Sequence, residues 1–108
     1  MTHPTHRHSI TVHYIEGRPL VIDNDDGQWY EIESLAAWLL ERCDGDTTVK
    51  ELFRAARAEL NAETTLEQVW VAMDELHRAG FLVRRVPPPF ALAPQAQRMV
   101  RALGAIHG

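Results

Sequence analysis

Cysteine and lysine are almost missing from this chain. Cys43 is the sole cysteine in 108 residues, so no internal disulfide can form and a Cys-x-x-Cys redox or zinc site is excluded. Lys50 is the sole lysine among eleven basic residues, which face fifteen Asp and Glu for a net charge of −4. An acidic chain with scattered arginines is poorly equipped to offset phosphate charge, which argues against nucleic acid as a partner. Long apolar runs are also lacking. The longest, Leu35 to Leu40, falls far short of the ~20 residues that cross a bilayer. Met1 to His8 is polar, contains Pro4 and has no apolar stretch of the secretory kind, so a cytoplasmic protein away from membranes is expected. No Gly-x-Ser-x-Gly, glycine-rich phosphate loop or His-Glu-x-x-His occurs, and no catalytic residue, metal set or cofactor site is expected. What is there is ordinary for one globular domain: 45% hydrophobic and 24% charged residues, enough to bury a core of its own.

The pattern along the chain changes once. Ile10, Val12 and Tyr14 alternate with Thr11, His13 and Ile15, a period of two. Glu16-Gly17 punctuates, and Arg18 to Asp23 forms a second apolar strand. Asn24-Asp25-Asp26-Gly27 is a turn, and Gln28 to Ile32 a third strand with Tyr30 and Ile32 on one face and Trp29 and Glu31 on the other. The period then becomes helical. Ser34 is expected to cap a helix reaching Cys43, with Gly45 as its left-handed terminator. Thr48 with Glu51 is a capping box opening a second helix, and Thr64-Thr65 caps a third, Leu66 to Ala79. Ala79-Gly80 stops that helix and Phe81-Leu82-Val83 reads as a short final strand. Pro87-Pro88-Pro89 marks the domain edge. Residues 94–103 fit a short helix with Met99, Val100 and Leu103 on one side. The expected organisation is a flexible His-rich segment over 1–9, an α+β domain over 10–86, and a Pro-rich linker with a tail or short helix over 87–108. Three antiparallel strands followed by three helices describe a winged helix-turn-helix.

Each candidate site has a plainer reading beside it. His3, His6, His8 and His13 offer metal-ligating nitrogens, but no cysteine or carboxylate joins them and a solvated leader explains them as well. Met1-Thr2-His3 can chelate copper only while Met1 is retained. Cys43 is read as a small core residue. Asp74 and Glu75 diverge on a helix and make a poor acid–base pair. The third helix would be the recognition helix of a DNA-binding regulator, the alternative function. Its outward positions, however, are Glu67, Gln68, Val71, Asp74, Glu75 and Arg78, and phosphate would repel three carboxylates set against one arginine. A peptide-binding module remains. The sheet edge offers unpaired N–H and C=O groups to an extended peptide, or to a second copy of the chain in a homodimer. Trp29, Trp70 and Met73 suit apolar pockets, although plain core packing serves equally for Trp70 and Met73.

The stretch Tyr30 to Leu82 resembles the PqqD family. Tyr30-Glu31-Ile32, Ala36 to Gly45 with its Cys-Asp-Gly ending, Thr48-Val49-Lys50-Glu51-Leu52, and Val69 to Leu82 carry the match. Ile32-Glu33 stands where the family favours Leu-Asn, and Leu52 where it favours Ile. The resemblance implies a peptide chaperone: a recognition element for ribosomally made, post-translationally modified peptides (RiPPs), with no catalysis of its own. It would bind a precursor's leader segment and present it to a partner, such as a radical SAM enzyme, a leader peptidase or another metal-dependent tailoring enzyme. The leader would add beside Gln28, Trp29, Tyr30, Glu31 and Ile32 and rest on the third helix. There Trp70 and Met73 would form a floor, Asp74 a polar rim, and His77 would lie nearby.

Overall fold

A computed structural model describes residues 3–95 and 98–105. Three strands, β1 (Ile10–Ile15), β2 (Arg18–Asp23) and β3 (Gln28–Ile32), precede three helices, α1 (Ser34–Glu41), α2 (Val49–Glu59) and α3 (Leu66–Arg78). A fourth strand, β4 (Val100–Ala105), closes the described chain. The sheet is antiparallel in the order β1-β2-β3-β4. The fold is therefore α+β with four strands, where three were expected.

Local chemistry explains the strand connections. Glu16 and Gly17 both have positive φ, 53° and 79°, the two-residue turn whose twist matches that of its strands. Between β2 and β3 the Gly27 N–H donates to the Asp23 carbonyl at 2.8 Å, and the Gln28 N–H to Asp26 Oδ1 at 2.8 Å. The capping boxes of α2 and α3 are both formed: Thr48 with Glu51, and Thr65 with Gln68. The N–H and hydroxyl of Thr48 hold the Glu51 carboxyl below its usual range. Helix α1 departs from expectation. Glu33 is its N-cap, without a side-chain bond, and the helix stops at Glu41 with Arg42 as C-cap. Gly45 lies beyond it and serves the N-terminal segment instead. Its φ is 86°, its N–H donates to the Pro4 carbonyl, and a Cβ there would sit 2.7 Å from Thr5 Oγ1.

That segment was expected to be flexible, yet it lies on the body. Pro4 is fully buried, and the His6 N–H donates to the Cys43 carbonyl at 2.9 Å. The Arg7 guanidinium bonds Asp23, Asp25 and the Gly80 carbonyl. Phe81-Leu82-Val83 is no strand of the sheet. It meets residues 5–7 through one bridge, His6 to Leu82, flanked by Arg7 N–H to Phe81 C=O and Val83 N–H to Thr5 C=O. The expected helix over 94–103 is also replaced: its second half is β4. A short helix must meet the nucleation cost alone, whereas the β3 edge supplies a ready row of partners. Met1 and Thr2, on which the copper-chelating arrangement with His3 depends, and the chain beyond residue 105 lie outside the described residues.

The core joins both layers through Val21, Leu39, Leu40, Leu52, Val69, Met73, Leu76 and Phe81, all essentially inaccessible. Cys43 belongs to it. Burial, with Asp44 adding, pushes its thiol up to about 12. At pH 8 only about one thiol in ten thousand would then be ionised. Native protein should leave Ellman's reagent unreacted over hours and react stoichiometrically once urea unfolds it. Rapid reaction of folded protein would contradict this packing.

Candidate functional site

The inner edge of β3 is occupied. β4 lies along it with Ile32 opposite Val100, Glu31 opposite Arg101 and Tyr30 opposite Ala102. A register shift follows between Trp29 and Tyr30, which leaves Leu103 as the extra residue before Gly104 meets Trp29. Gly104 adopts φ 126°, which lets the strand absorb this bulge. Ahead of β4, the Glu33 N–H donates to the Met99 carbonyl at 2.8 Å.

The other side of the same segment is held by α3. The Glu75 carboxylate accepts the Met99 N–H at 2.8 and 3.0 Å, the Val100 N–H at 3.4 Å and Arg98 Nε at 3.2 Å. Glu75 is 6% exposed. A buried carboxylate must be matched by donors, and here backbone amides supply them. Val71, one turn earlier, is buried too. A cleft of about 420 Å³ runs between α3 and the tail, lined by Val71, Asp74, Arg78, Leu92, Pro94 and Arg98 among others. Positions 71 and 75, read from sequence as outward-facing, are thus covered by the chain's own tail.

The nine residues singled out in the sequence do not gather at one place. Tyr30 and Ile32 face inward. Tyr30 meets Phe81 edge-on at 4.8 Å, and burial raises its phenol above the ordinary value, with Asp26 and Asp23 adding. Ile32 is buried opposite Val100. Trp29 and Glu31 lie on the outer face, where Trp29 is near His13 and Glu31 pairs with Arg101. Trp29 therefore cannot line a groove between β3 and α3. Gln28 sits at the strand's start, its side-chain amide donating to the Trp29 carbonyl. Trp70 and Met73 are core residues rather than a floor, because α3 packs on α1 and α2 and these side chains join the cluster formed there. Asp74 does lie at the cleft, paired with Arg78 at 2.9 Å. His77 is half-buried, and its Nδ1 has no partner among the described residues.

Glu75, Val100 and Arg101 complete the site, and the sequence reading missed their roles. One signal was present: Val71, an apolar residue one turn from Glu75 on a face otherwise polar, marks a row that something covers. Among the described residues no three His, Cys, Asp or Glu side chains converge as a metal set, and no helix is long and apolar enough to cross a membrane.

Fold and site together define a small α+β domain that holds an extended segment between a sheet edge and a helix. Over residues 20–82 the chain matches the family described as Coenzyme PQQ synthesis protein D (PqqD), and it belongs to that family. The family's role is that of an accessory protein in PQQ and RiPP biosynthesis. Comparisons with curated proteins and with solved structures gave no match.

Proposed function

We propose that this protein binds the leader segment of a ribosomally made precursor peptide by strand addition to β3 and presents it to a modifying enzyme. The partner would be a radical SAM enzyme, a leader peptidase or another metal-dependent tailoring enzyme, and the chain itself would do no chemistry. The observation that carries this reading is the pairing of β3 with an extended segment whose amides also reach Glu75 on α3. Backbone bonds of this kind give affinity with little dependence on side chains. A winged-helix DNA regulator is less well supported: the α3 row that would read bases carries acids and lies under the tail.

The test begins with a search of the gene's neighbourhood for a short open reading frame, the candidate precursor. Its N-terminal half, fluorescein-labelled, is titrated by anisotropy, with a mixed-sequence DNA duplex as competitor. Saturable peptide binding that duplex does not disturb is expected, with amide shifts concentrated in β3 and α3. Asp74→Ala should weaken binding by about 1 kcal/mol as a rim residue. Trp29→Ala, on the outer face, should leave affinity unchanged. Binding of duplex with steep salt dependence, without peptide saturation, would overturn the reading.

A further inference from the structure

The family match ends at Leu82, so β4 and the proline-rich segment before it are additions to the matched body. β4 nonetheless occupies the position along β3 assigned above to a partner peptide. We propose that β4 is a resident stand-in for that peptide, and that the groove's partner is an extended strand of like pattern, apolar residues followed by a basic one, which binds by displacing β4. This rests on the strand-addition reading given above.

The contacts state what the groove accepts. Two successive N–H groups, from Met99 and Val100, meet the Glu75 carboxylate. The Val100 side chain is buried opposite Ile32, and the next residue, Arg101, pairs with Glu31 across the strands. A strand with an acidic residue at either place would put a carboxylate into the apolar layer or against Glu31.

The contacts also show why β4 can leave. Past Val100 it buries little: Leu103 is 56% exposed, and Arg101 and Ala102 are exposed as well. Its hold comes largely from backbone bonds that any strand can reproduce, and from its tether. A tether raises its own segment's effective concentration, to roughly millimolar where the linker is short. A free peptide must compete with that, so its apparent affinity falls by the fraction of chains that are closed.

The ladder identifies the residue to change. The Glu33 N–H bonds the Met99 carbonyl on one side of the Ile32–Val100 pair, and the antiparallel pattern matches it on the other side with the Arg101 N–H donating to the Glu31 carbonyl. Proline at 101 removes that donor.

The probe is a fluorescein-labelled synthetic peptide with the sequence of residues 95–105, added in trans to full-length chain. Arg101→Pro chain should bind it at least tenfold more tightly than wild type, and a probe carrying Asp at the Val100 place should lose that binding. A second variant guards against misfolding of the first: Glu31→Cys with Arg101→Cys, which should refuse the probe when oxidised and accept it after dithiothreitol. Equal binding by open and wild-type chains, with amide shifts on β3 and no binding by the locked chain, would show that β4 offers no competition, overturning the displacement proposal and leaving strand addition standing; equal binding by the locked chain, whose β3 is flanked by β2 and β4, would overturn both. No binding to any chain, with the β3 amides of reduced protein exchanging freely, would overturn both.

Discussion

Phe81→Ala is expected to cost about 3–5 kcal/mol, the range for removing a fully buried aromatic ring. For a domain of this size, with total stability of roughly 5–15 kcal/mol, that brings the chain near unfolding. The reason is position as much as size. Phe81 is inaccessible and follows Gly80, whose φ of 82° turns the chain out of α3. Its ring meets Tyr30 of β3 edge-on, its N–H donates to the Leu76 carbonyl, and its carbonyl accepts the Arg7 N–H. One residue thus ties α3, β3 and the N-terminal segment together, its ring through Tyr30 and the core, its backbone through Leu76 and Arg7. Urea denaturation should show the loss as a lower midpoint with an unchanged slope. Phe81→Leu, which keeps most of the volume, should cost under about 1.5 kcal/mol. A midpoint shift below a third of that expected for Ala would mean that the site collapses around the gap.

Glu75→Ala should release β4 while sparing the core. The carboxylate accepts two backbone N–H groups and Arg98, and hydrogen bonds to a charged group contribute about 1.5–3 kcal/mol each at most. Because Arg98 is largely exposed, its share is small. A net loss of about 2–3 kcal/mol for β4 docking follows. The readout is hydrogen exchange at the Glu33 amide, whose partner is the Met99 carbonyl. Its exchange should accelerate roughly thirtyfold or more, with amides of α1 unchanged. Glu75→Gln keeps an acceptor for Met99 and should fall between the two. Undiminished protection of Glu33 in the alanine variant would show that β3 alone holds the tail.

Much of this fold is written locally. The bounds of β1, β2 and β3, both capping boxes and the Ala79-Gly80 stop are readable because each depends on groups within about four residues. The site was legible only in part. The alternation along β3 set Trp29 and Glu31 on the face opposite Tyr30 and Ile32, and so already argued against Trp29 as a pocket residue facing α3. Trp70 and Met73 lie on an apolar stripe, and a stripe does not say whether a neighbouring helix or an open groove covers it. Here α1 and α2 cover it.

Residues close together in the sequence were enough to read an acidic chain with one cysteine, a meander of three strands, and three helices, two of them opened by capping boxes. The sequence also carried enough of a motif to resemble the family to which the chain belongs. Where residues 4–7 and 100–105 come to lie follows from long-range contacts. Pro4 became core, and residues with a weak helical pattern became β4. Neither outcome has a local cause. The N-terminal segment packs because Gly45 lets Thr5 approach, and β4 forms because β3 and Glu75, remote in sequence, leave backbone donors and acceptors that the tail is long enough to meet.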